Sequence, residues 1–398
     1  MKPIQDAYIV AATRSAVGKA GRGGLRTTRP DDLLAQTLRH VMTLAPSLDP
    51  RAVEDVIAGC AMPEAQQGLN VARIAALLSG LPNTVGGITI NRFCSSGLNA
   101  VAMAADRIRV GEADVIIAAG VESMSMVPMM GNTPSLSPDI FVGDENIGIA
   151  YGMGLTAEKV ARQWKVSRED QDAFALASHQ KALSAQAAGE FSAEIFPVNV
   201  ANRQMNLEQG LVDVSWRTFM QDDGPRVDTS MESLARLRPV FANKGSVTAG
   251  NSSQTSDGAG ALILASASAV KTFGLTPLAR FVSFSVKGVA PEIMGLGPKE
   301  AIPAALKAAG LRQEDIDWFE LNEAFAAQSL AVMRDLQLDP ARVNPLGGAI
   351  ALGHPLGATG AIRSATLVHA LQRRQLKYGM VTMCVGTGMG AAGIFERC

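Results

Sequence analysis

Two cysteines, one histidine and one asparagine occupy settings in this chain that set them apart from others of their kind. Cys94 lies in Asn91-Arg-Phe-Cys-Ser-Ser-Gly97, just ahead of a long helical pattern, and His354 lies in Gly347-Gly-Ala-Ile-Ala-Leu-Gly-His-Pro-Leu-Gly357. Cys384 opens Cys384-Val-Gly-Thr-Gly-Met-Gly390, and Asn322 opens Asn322-Glu-Ala-Phe-Ala-Ala-Gln328. Together they offer a nucleophilic thiol, a base, a second acid/base thiol and a polar group for an oxyanion. With such parts a carbon–carbon bond beside a thioester can be made or broken.

A lone cysteine is ordinarily a buried packing residue. Cys94 stands apart because a helix N-terminus is expected directly after it, where backbone N–H groups and the helix dipole favour anionic sulfur and lower a thiol pKa. The small neighbours Ser95, Ser96 and Gly97 are expected to let a substrate approach the sulfur. Of the four histidines, His40, His179 and His369 fall within helical patterns, whereas His354 sits in a turn among glycines and Pro355. A ring nitrogen there can take the Cys94 proton and later stabilise an enolate oxygen.

Cys384 ends a predicted strand and runs into Gly386, Gly388 and Gly390, whose N–H groups can point at an oxyanion. The plainer alternative is a buried strand cysteine with glycines serving tight packing. Asn322 can hold a water or donate to an oxyanion, with Glu323 orienting the loop; elsewhere Asn-Glu would be a helix cap. Gly250-Asn-Ser-Ser-Gln-Thr-Ser-Asp-Gly-Ala259 is a polar, glycine-flanked stretch suited to an extended ligand or to a solvated turn. Cys60 and Cys398 have no comparable setting. None of the glycine runs matches a Walker loop or a dinucleotide fingerprint.

The elements that must position these groups read as alternating strands and helices. Strands are expected at Ala7–Ala12, Asp55–Ala58, Asp114–Ala119, Asp317–Glu320 and Met380–Cys384, and a helix over Ser96–Val110. The Gly353–Gly360 loop is expected to open a helix through Ile362–Leu371. This order predicts an α/β fold with largely parallel central strands, made of two similar βα-rich halves. Cys94 and His354 then stand at corresponding strand-to-helix turns. Met124–Asp144 reads as a loop, and Thr156–Gly189 as two helical patterns with a start at Ser167. The composition shift predicts a mainly helical lid over 123–240, flanked by a first half of 1–122 and 241–274 and a second of 275–398.

At 398 residues the chain is expected to hold more than one core. Its 47% hydrophobic and 18% charged content describes a globular protein, and 36 basic against 37 acidic residues give a net charge of −1. Nothing in that balance suggests a nucleic-acid partner. No apolar run approaches the roughly 18 residues of a membrane span, and the N-terminus lacks a signal-peptide pattern. The four cysteines show neither metal-ligand nor disulfide spacing, so a cytoplasmic setting without a metal is expected.

Along essentially the whole chain these motifs resemble the thiolase family, and most of all its degradative 3-ketoacyl-CoA thiolases. The resemblance rests on Asn91-Arg-Phe-Cys-Ser-Ser-Gly97, Gly120-Val-Glu-Ser-Met-Ser125 and Thr248-Ala-Gly-Asn-Ser-Ser-Gln254. It continues through Asn322-Glu-Ala-Phe-Ala326, Asn344-Pro-Leu-Gly-Gly-Ala349 and Gly353-His-Pro-Leu-Gly357 to the Cys384 segment. It implies a layered α-β-α-β-α sandwich with an inserted loop domain, assembled as a homodimer or homotetramer. It implies thiolysis of a 3-ketoacyl-CoA by CoA within fatty-acid β-oxidation, with CoA as substrate, no permanently bound cofactor and a possible multienzyme partner.

Residue by residue, Cys94 matches the family nucleophile, His354 its base and oxyanion donor, and Cys384 the acid/base that protonates the enolate. Asn322 matches the holder of the oxyanion water, and the N–H groups of Cys94 and Gly386 match the second oxyanion hole. Arg226 and Ser253 match positions that contact CoA. Gly152-Met-Gly-Leu-Thr156 lacks the histidine that short-chain members often carry before the methionine, and Asn344-Pro-Leu-Gly-Gly348 lacks an asparagine before its glycine pair. Both departures favour the degradative type, and a peroxisomal-type N-terminal address is absent. The competing readings are an acetoacetyl-CoA thiolase working in condensation, a decarboxylating ketoacyl synthase and a non-catalytic lipid carrier.

Overall fold

The computed structural model describes residues 4–206 and 208–398. The chain opens with β1 (Ala7–Arg14), β2 (Gly18–Lys19), α1 (Pro30–Thr43), β3 (Asp55–Gly59), α2 (Val71–Leu78), β4 (Ile88–Ile90), α3 (Ser96–Arg109) and β5 (Val115–Ser123). An excursion follows, holding α4 (Met153–Gln163), α5 (Arg168–Ala187), β6 (Val198–Asn206), β7 (Leu211–Phe219) and α6 (Met231–Ala235). The chain returns as β8 (Ser256–Ser266) and α7 (Ala267–Phe273). The last third comprises β9 (Ala279–Gly288), α8 (Gly297–Ala309), β10 (Trp318–Leu321), α9 (Ala326–Leu336), α10 (Ala349–Leu352), α11 (Leu356–Arg374), β11 (Tyr378–Val385) and β12 (Met389–Arg397).

Among the described residues the main sheet runs β10-β11-β12-β9-β1-β8-β5-β3-β4, with β2 attached to β8. It is two sheets joined at a narrow seam, because β1 and β9 share only the pairs Tyr8↔Arg280 and Ile9↔Ala279. Among the described strands, parallel ladders are β3–β4, β3–β5 and β10–β11, and the middle strands are antiparallel. The expectation of largely parallel central strands is therefore overturned. β8 comes back from the excursion against the direction of β1 and β5. β11 and β12 form a hairpin in which Val385 faces Met389 across Gly386-Thr-Gly388.

Side-chain alternation along single strands shows how the layers stack. On β8, Leu262 and Leu264 face a core shared with α3 and α11, while Ala261, Ile263 and Ala265 face α1 and α2. On the second half, Val381 and Met383 of β11 face α3 and α11, while Met380 faces α8 and α9. The order is thus α1/α2, first sheet, α3/α11, second sheet, α8/α9, a five-layered α-β-α-β-α sandwich.

The two helices of the middle layer touch backbone to backbone. A Cβ on Gly97 would stand 2.6 Å from the amide nitrogen of Ala361, and one on Gly360 would stand 2.0 Å from that of Leu98. Only glycine fits at either place. Gly97, expected to make room for substrate beside Cys94, makes room for α11.

The excursion touches both halves. Val160 of α4 and Val166 join the outer core of the second half, and Val198, Val200 and Phe219 join that of the first. Helices α4 and α5 match the two helical patterns, and the Ser167 hydroxyl accepts the N–H of Asp170 at 3.0 Å to cap α5. Within the 123–240 stretch, expected to be mainly helical, β6 and β7 add a separate two-stranded sheet to the helices. Its signal was the alternation Val212, Val214, Trp216 against Asp213, Ser215, Arg217. Most of β7 is exposed, so no core amplified that signal.

Candidate active site

Cys94 sits in a 3-10 turn, Phe93–Ser95, that leads directly into α3. Phe93 is held at φ 44, a left-handed conformation that turns the chain sharply out of β4. The thiol is buried against Ala61 and Leu356, with Met62, Phe93 and Met124 around it. Burial pushes its pKa up to about 12, and the N–H groups of Gly386 and of Cys94 itself, both aimed at the sulfur, only partly oppose the rise. The lowered pKa expected from the helix terminus is thus reversed in the resting protein. Desolvation outweighs the backbone dipoles when the sulfur is shut away from water.

His354 does not occupy a strand-to-helix turn, contrary to the expected match with Cys94. It lies between α10 and α11, and α11 begins at Leu356, so the expected loop to Gly360 is mostly helix. Its ring is pinned on both nitrogens. Nε2 lies 3.3 Å from Nδ2 of Asn322, and Nδ1 lies 2.7 Å from Oγ1 of Thr359. Its backbone N–H is held by the carbonyl of Gln254 at 3.2 Å and the hydroxyl of Ser256 at 3.1 Å. Burial, with help from the nearby Arg363 cation, drives the imidazole pKa down to about 3, so the ring rests neutral.

Asn322 directly follows β10, and its N–H donates to the carbonyl of Thr382 on β11 at 2.9 Å. Its Oδ1 is buried without a protein partner among the described residues. A buried amide oxygen left in that state costs about 1–3 kcal/mol unless a water or ligand answers it. Cys384 lies two residues after Thr382, and burial and the neighbouring Cys94 both raise its pKa. Its wall is apolar, made of Ala157, Val247, Met294, Ala324 and Phe325 with Met153 alongside. The first half thus sets Cys94 against Cys384 and the Gly386 N–H of the second, with Leu356, two residues past His354, packed beside the sulfur, while His354 and Asn322 meet each other.

Two buried carboxylates hold this arrangement together. Glu122, at the end of β5, accepts the N–H groups of Ala61 at 2.7 Å, Met62 at 3.2 Å and Gly357 at 2.8 Å, together with the Gln67 amide. It therefore fastens the start of α11 to the first half beneath Cys94. Glu323 accepts from Ser178 of α5 at 2.6 Å, Asn344 at 2.9 Å and the N–H of Ile350 at 3.2 Å, locking the loop ahead of His354. Residue-type reasoning gave Glu122 no role. The signal available was a charge inside an otherwise apolar strand, Val115-Ile-Ile-Ala-Ala-Gly-Val-Glu.

The description "Thiolase, N-terminal domain" matches residues 7–268, and "Thiolase, C-terminal domain" matches residues 275–397. The chain belongs to the thiolase family. It is 50% identical over 395 residues to the 3-ketoacyl-CoA thiolase of Bacillus subtilis (strain 168), covering 99% of this chain and all of that one. Among solved structures, the acetyl-CoA acetyltransferase of Bacillus anthracis superposes with a TM-score of 0.89 at 39% identity, each chain covered in full. The dimeric peroxisomal thiolase of Saccharomyces cerevisiae superposes at 0.88 with 42% identity, over 100% of this chain and 99% of that one.

The remaining residues singled out in this thiolase are Ser253 and Arg226. The Ser253 N–H donates to the carbonyl of Ala324 at 2.9 Å, which clips its loop to the segment carrying Asn322. Arg226 is exposed and pairs with Asp228 at 3.1 Å, while its N–H donates to His179 Nδ1 at 3.2 Å. Lys19 was not singled out by sequence, yet its ammonium is pushed down by burial and by the like charges of Arg22 and Arg226. Lys19 pairs in register with Ser256, whose hydroxyl holds His354. A cationic cluster thus lies one strand from the buried histidine.

Proposed function

We propose that this thiolase cleaves 3-ketoacyl-CoA with free CoA to acetyl-CoA and a shortened acyl-CoA, in the degradative direction of β-oxidation. The observation that supports the reading is a buried thiol of the first half set against a second thiol and a glycine N–H of the second, with a neutral imidazole paired to Asn322 two residues before the leucine packed on that thiol. His354 accepts the Cys94 proton as the sulfur attacks the 3-keto carbon. Because the resting thiol lies far above neutrality, the proton leaves as the carbon–sulfur bond forms, with no standing thiolate needed. The N–H groups of Cys94 and Gly386 receive the oxyanion at that carbon.

Collapse breaks the carbon–carbon bond and leaves an acyl group on Cys94 and an acetyl-CoA enolate. A water on Asn322 Oδ1 and the newly protonated His354 face the enolate oxygen, and Cys384 protonates its carbon. A second CoA then takes the acyl group from Cys94, making the cycle ping-pong. CoA is a substrate, and no permanently bound cofactor is required. Arg226 and Ser253 hold CoA, and the Lys19–Arg22–Arg226 cluster suits its phosphates. The division into 1–122 with 241–274, 123–240 and 275–398 assigns the nucleophile to the first unit, the CoA cover to the second and the acid/base groups to the third. A cytoplasmic homodimer or homotetramer, with a β-oxidation partner enzyme delivering substrate, completes the reading.

The test is CoA-dependent thiolysis of acetoacetyl-CoA beside medium- and long-chain 3-ketoacyl-CoA, compared as kcat/KM. Preference for the longer chains is the expected result, since Met153, Met294 and Phe325 give the site an apolar wall. Activity confined to acetoacetyl-CoA moves the assignment to the short-chain type. Absence of thiolysis on all three overturns the reading.

A further inference from the structure

We propose that Thr359 is a positioning residue whose hydroxyl accepts the Nδ1 proton of His354 and thereby keeps the ring's basic lone pair on Nε2. The inference rests on the reading of His354 as the base that serves Cys94.

Donor and acceptor capacities constrain where the ring proton sits. A side-chain amide nitrogen carries two hydrogens and no available lone pair, so Asn322 Nδ2, 3.3 Å from Nε2, can only donate. With the amide in this orientation Nε2 accepts, and Oδ1 is left without a protein partner among the described residues. In a neutral imidazole the proton therefore sits on Nδ1, and the group facing Nδ1 at 2.7 Å is Oγ1 of Thr359. The hydroxyl oxygen has lone pairs for that proton. The ring is 4% exposed, so no solvent competes for either nitrogen.

The support is rigid. Thr359 lies in the first turn of α11, where its N–H donates to the carbonyl of Pro355 at 3.1 Å. The start of that helix is fastened by Glu122 through Gly357, and the His354 N–H is held by Gln254 and Ser256 from another part of the chain. Backbone and ring are thus fixed independently, and the tautomer is set jointly by the Asn322 amide on Nε2 and the Thr359 oxygen on Nδ1.

A neutral partner has a chemical consequence. In Ser-His-Asp sites a carboxylate on Nδ1 stabilises the imidazolium as well as orienting it. Thr359 orients without supplying charge, and Arg363, one turn farther along α11, disfavours a lasting imidazolium. When the Cys94 S–H bond breaks, the proton goes to Nε2 while the other proton stays on Nδ1, hydrogen-bonded to Oγ1. The ring can then donate from Nε2 and give the proton up again.

The test compares Thr359→Val, which keeps the shape and loses the acceptor, with Thr359→Ser, which keeps the hydroxyl. The valine variant is expected to lose about 10–100-fold in kcat with KM for both substrates within about twofold, and the serine variant to stay within about threefold of the parent. The protein with ¹⁵N-labelled histidine has only four histidines to assign. Its His354 should show a protonated Nδ1 and a bare Nε2, and Thr359→Val should show a tautomer mixture. Unchanged kcat in a folded Thr359→Val variant, or a protonated Nε2 in the unaltered enzyme, overturns the proposal. The spectrum of the unaltered protein decides the tautomer even if both variants misfold. If that spectrum is as stated and thiolysis is absent, the proposed function fails while the tautomer assignment stands.

Discussion

The Cys94 turn and the His354 turn stand at the heads of the two central helices, yet they are built by different means. Cys94 follows a short strand, and the groups aimed at its sulfur are backbone N–H donors in an apolar setting. His354 follows a short helix, and side chains, Asn322 and Thr359, hold its ring. A sulfur nucleophile needs an oxyanion hole that answers whatever carbonyl arrives, which backbone dipoles supply without further chemistry. A base needs one particular nitrogen free, which only specific side-chain partners can arrange. The difference shows that two turns in similar places are specialised by what surrounds them.

The comparison breaks most completely at the sulfur. Cys94→Ala should lower kcat by about 10⁴-fold or more and abolish a burst of acyl-enzyme in mass spectrometry, with the thermal midpoint nearly unchanged. Retained turnover would show that the second half carries the nucleophile after all. His354→Ala should cost about 10²–10⁴-fold in kcat, since a positioned base contributes that much. Its acyl-enzyme, if formed from an activated thioester, should still appear slowly.

The glycine contact between the helices comes next. Gly360→Ala places a carbon 2.0 Å from the Leu98 amide nitrogen, so the helices must separate; a loss of about 1–3 kcal/mol in denaturant unfolding is expected. At Gly386 the nearest atoms to an added Cβ are those of Phe93, at 3.6 Å, so Gly386→Ala should leave stability unchanged. Equal losses in the two variants would deny that the helix contact is what joins the halves.

Acid stability separates the turns more finely. The folded His354 pKa, about 3, lies below its usual 6.5, so the unfolded chain binds the extra proton between those values. The histidine's contribution is present above pH 6.5 and is lost as pH falls toward 3. Glu320 has the opposite sign: raised to about 7 by burial, it favours the fold below 4.5 and loses that contribution as pH rises through 7. Comparison with His354→Asn isolates the histidine, and the parent should lose about 1.4 kcal/mol per pH unit more than the variant between pH 6 and 4. Parallel curves would mean the ring is not held neutral by burial. The smallest effect is expected at Arg226: Arg226→Ala should raise KM for CoA about fivefold with kcat unchanged.

Much of this was legible from residues alone because the informative segments are local. The strands around Ala7–Ala12 and Val115–Ala119, the helix from Ser96 and the cap at Ser167 appear where period and capping chemistry place them. Thiolase membership follows from contiguous motifs that a linear reading can find. The β6–β7 hairpin was missed because most of β7 and the far half of β6 are exposed, and only Val198, Val200 and Phe219 reach a core. The antiparallel centre of the sheet was missed because alternating strands and helices do not state the direction from which a strand returns.

The sequence by itself determined which side chains are able to do chemistry here, since a thiol, an imidazole and an amide carry their reactivity wherever they are placed. Only the tertiary structure decided their state. Burial turns a thiol expected to be acidic into one near 12 and an imidazole into a neutral ring near 3. Thr359, Glu122 and Gln254 acquire importance only through contacts with residues distant in the chain or around a helical turn. Desolvation and hydrogen-bond pairing depend on what occupies the neighbouring space, and that space is assembled from both halves of the chain.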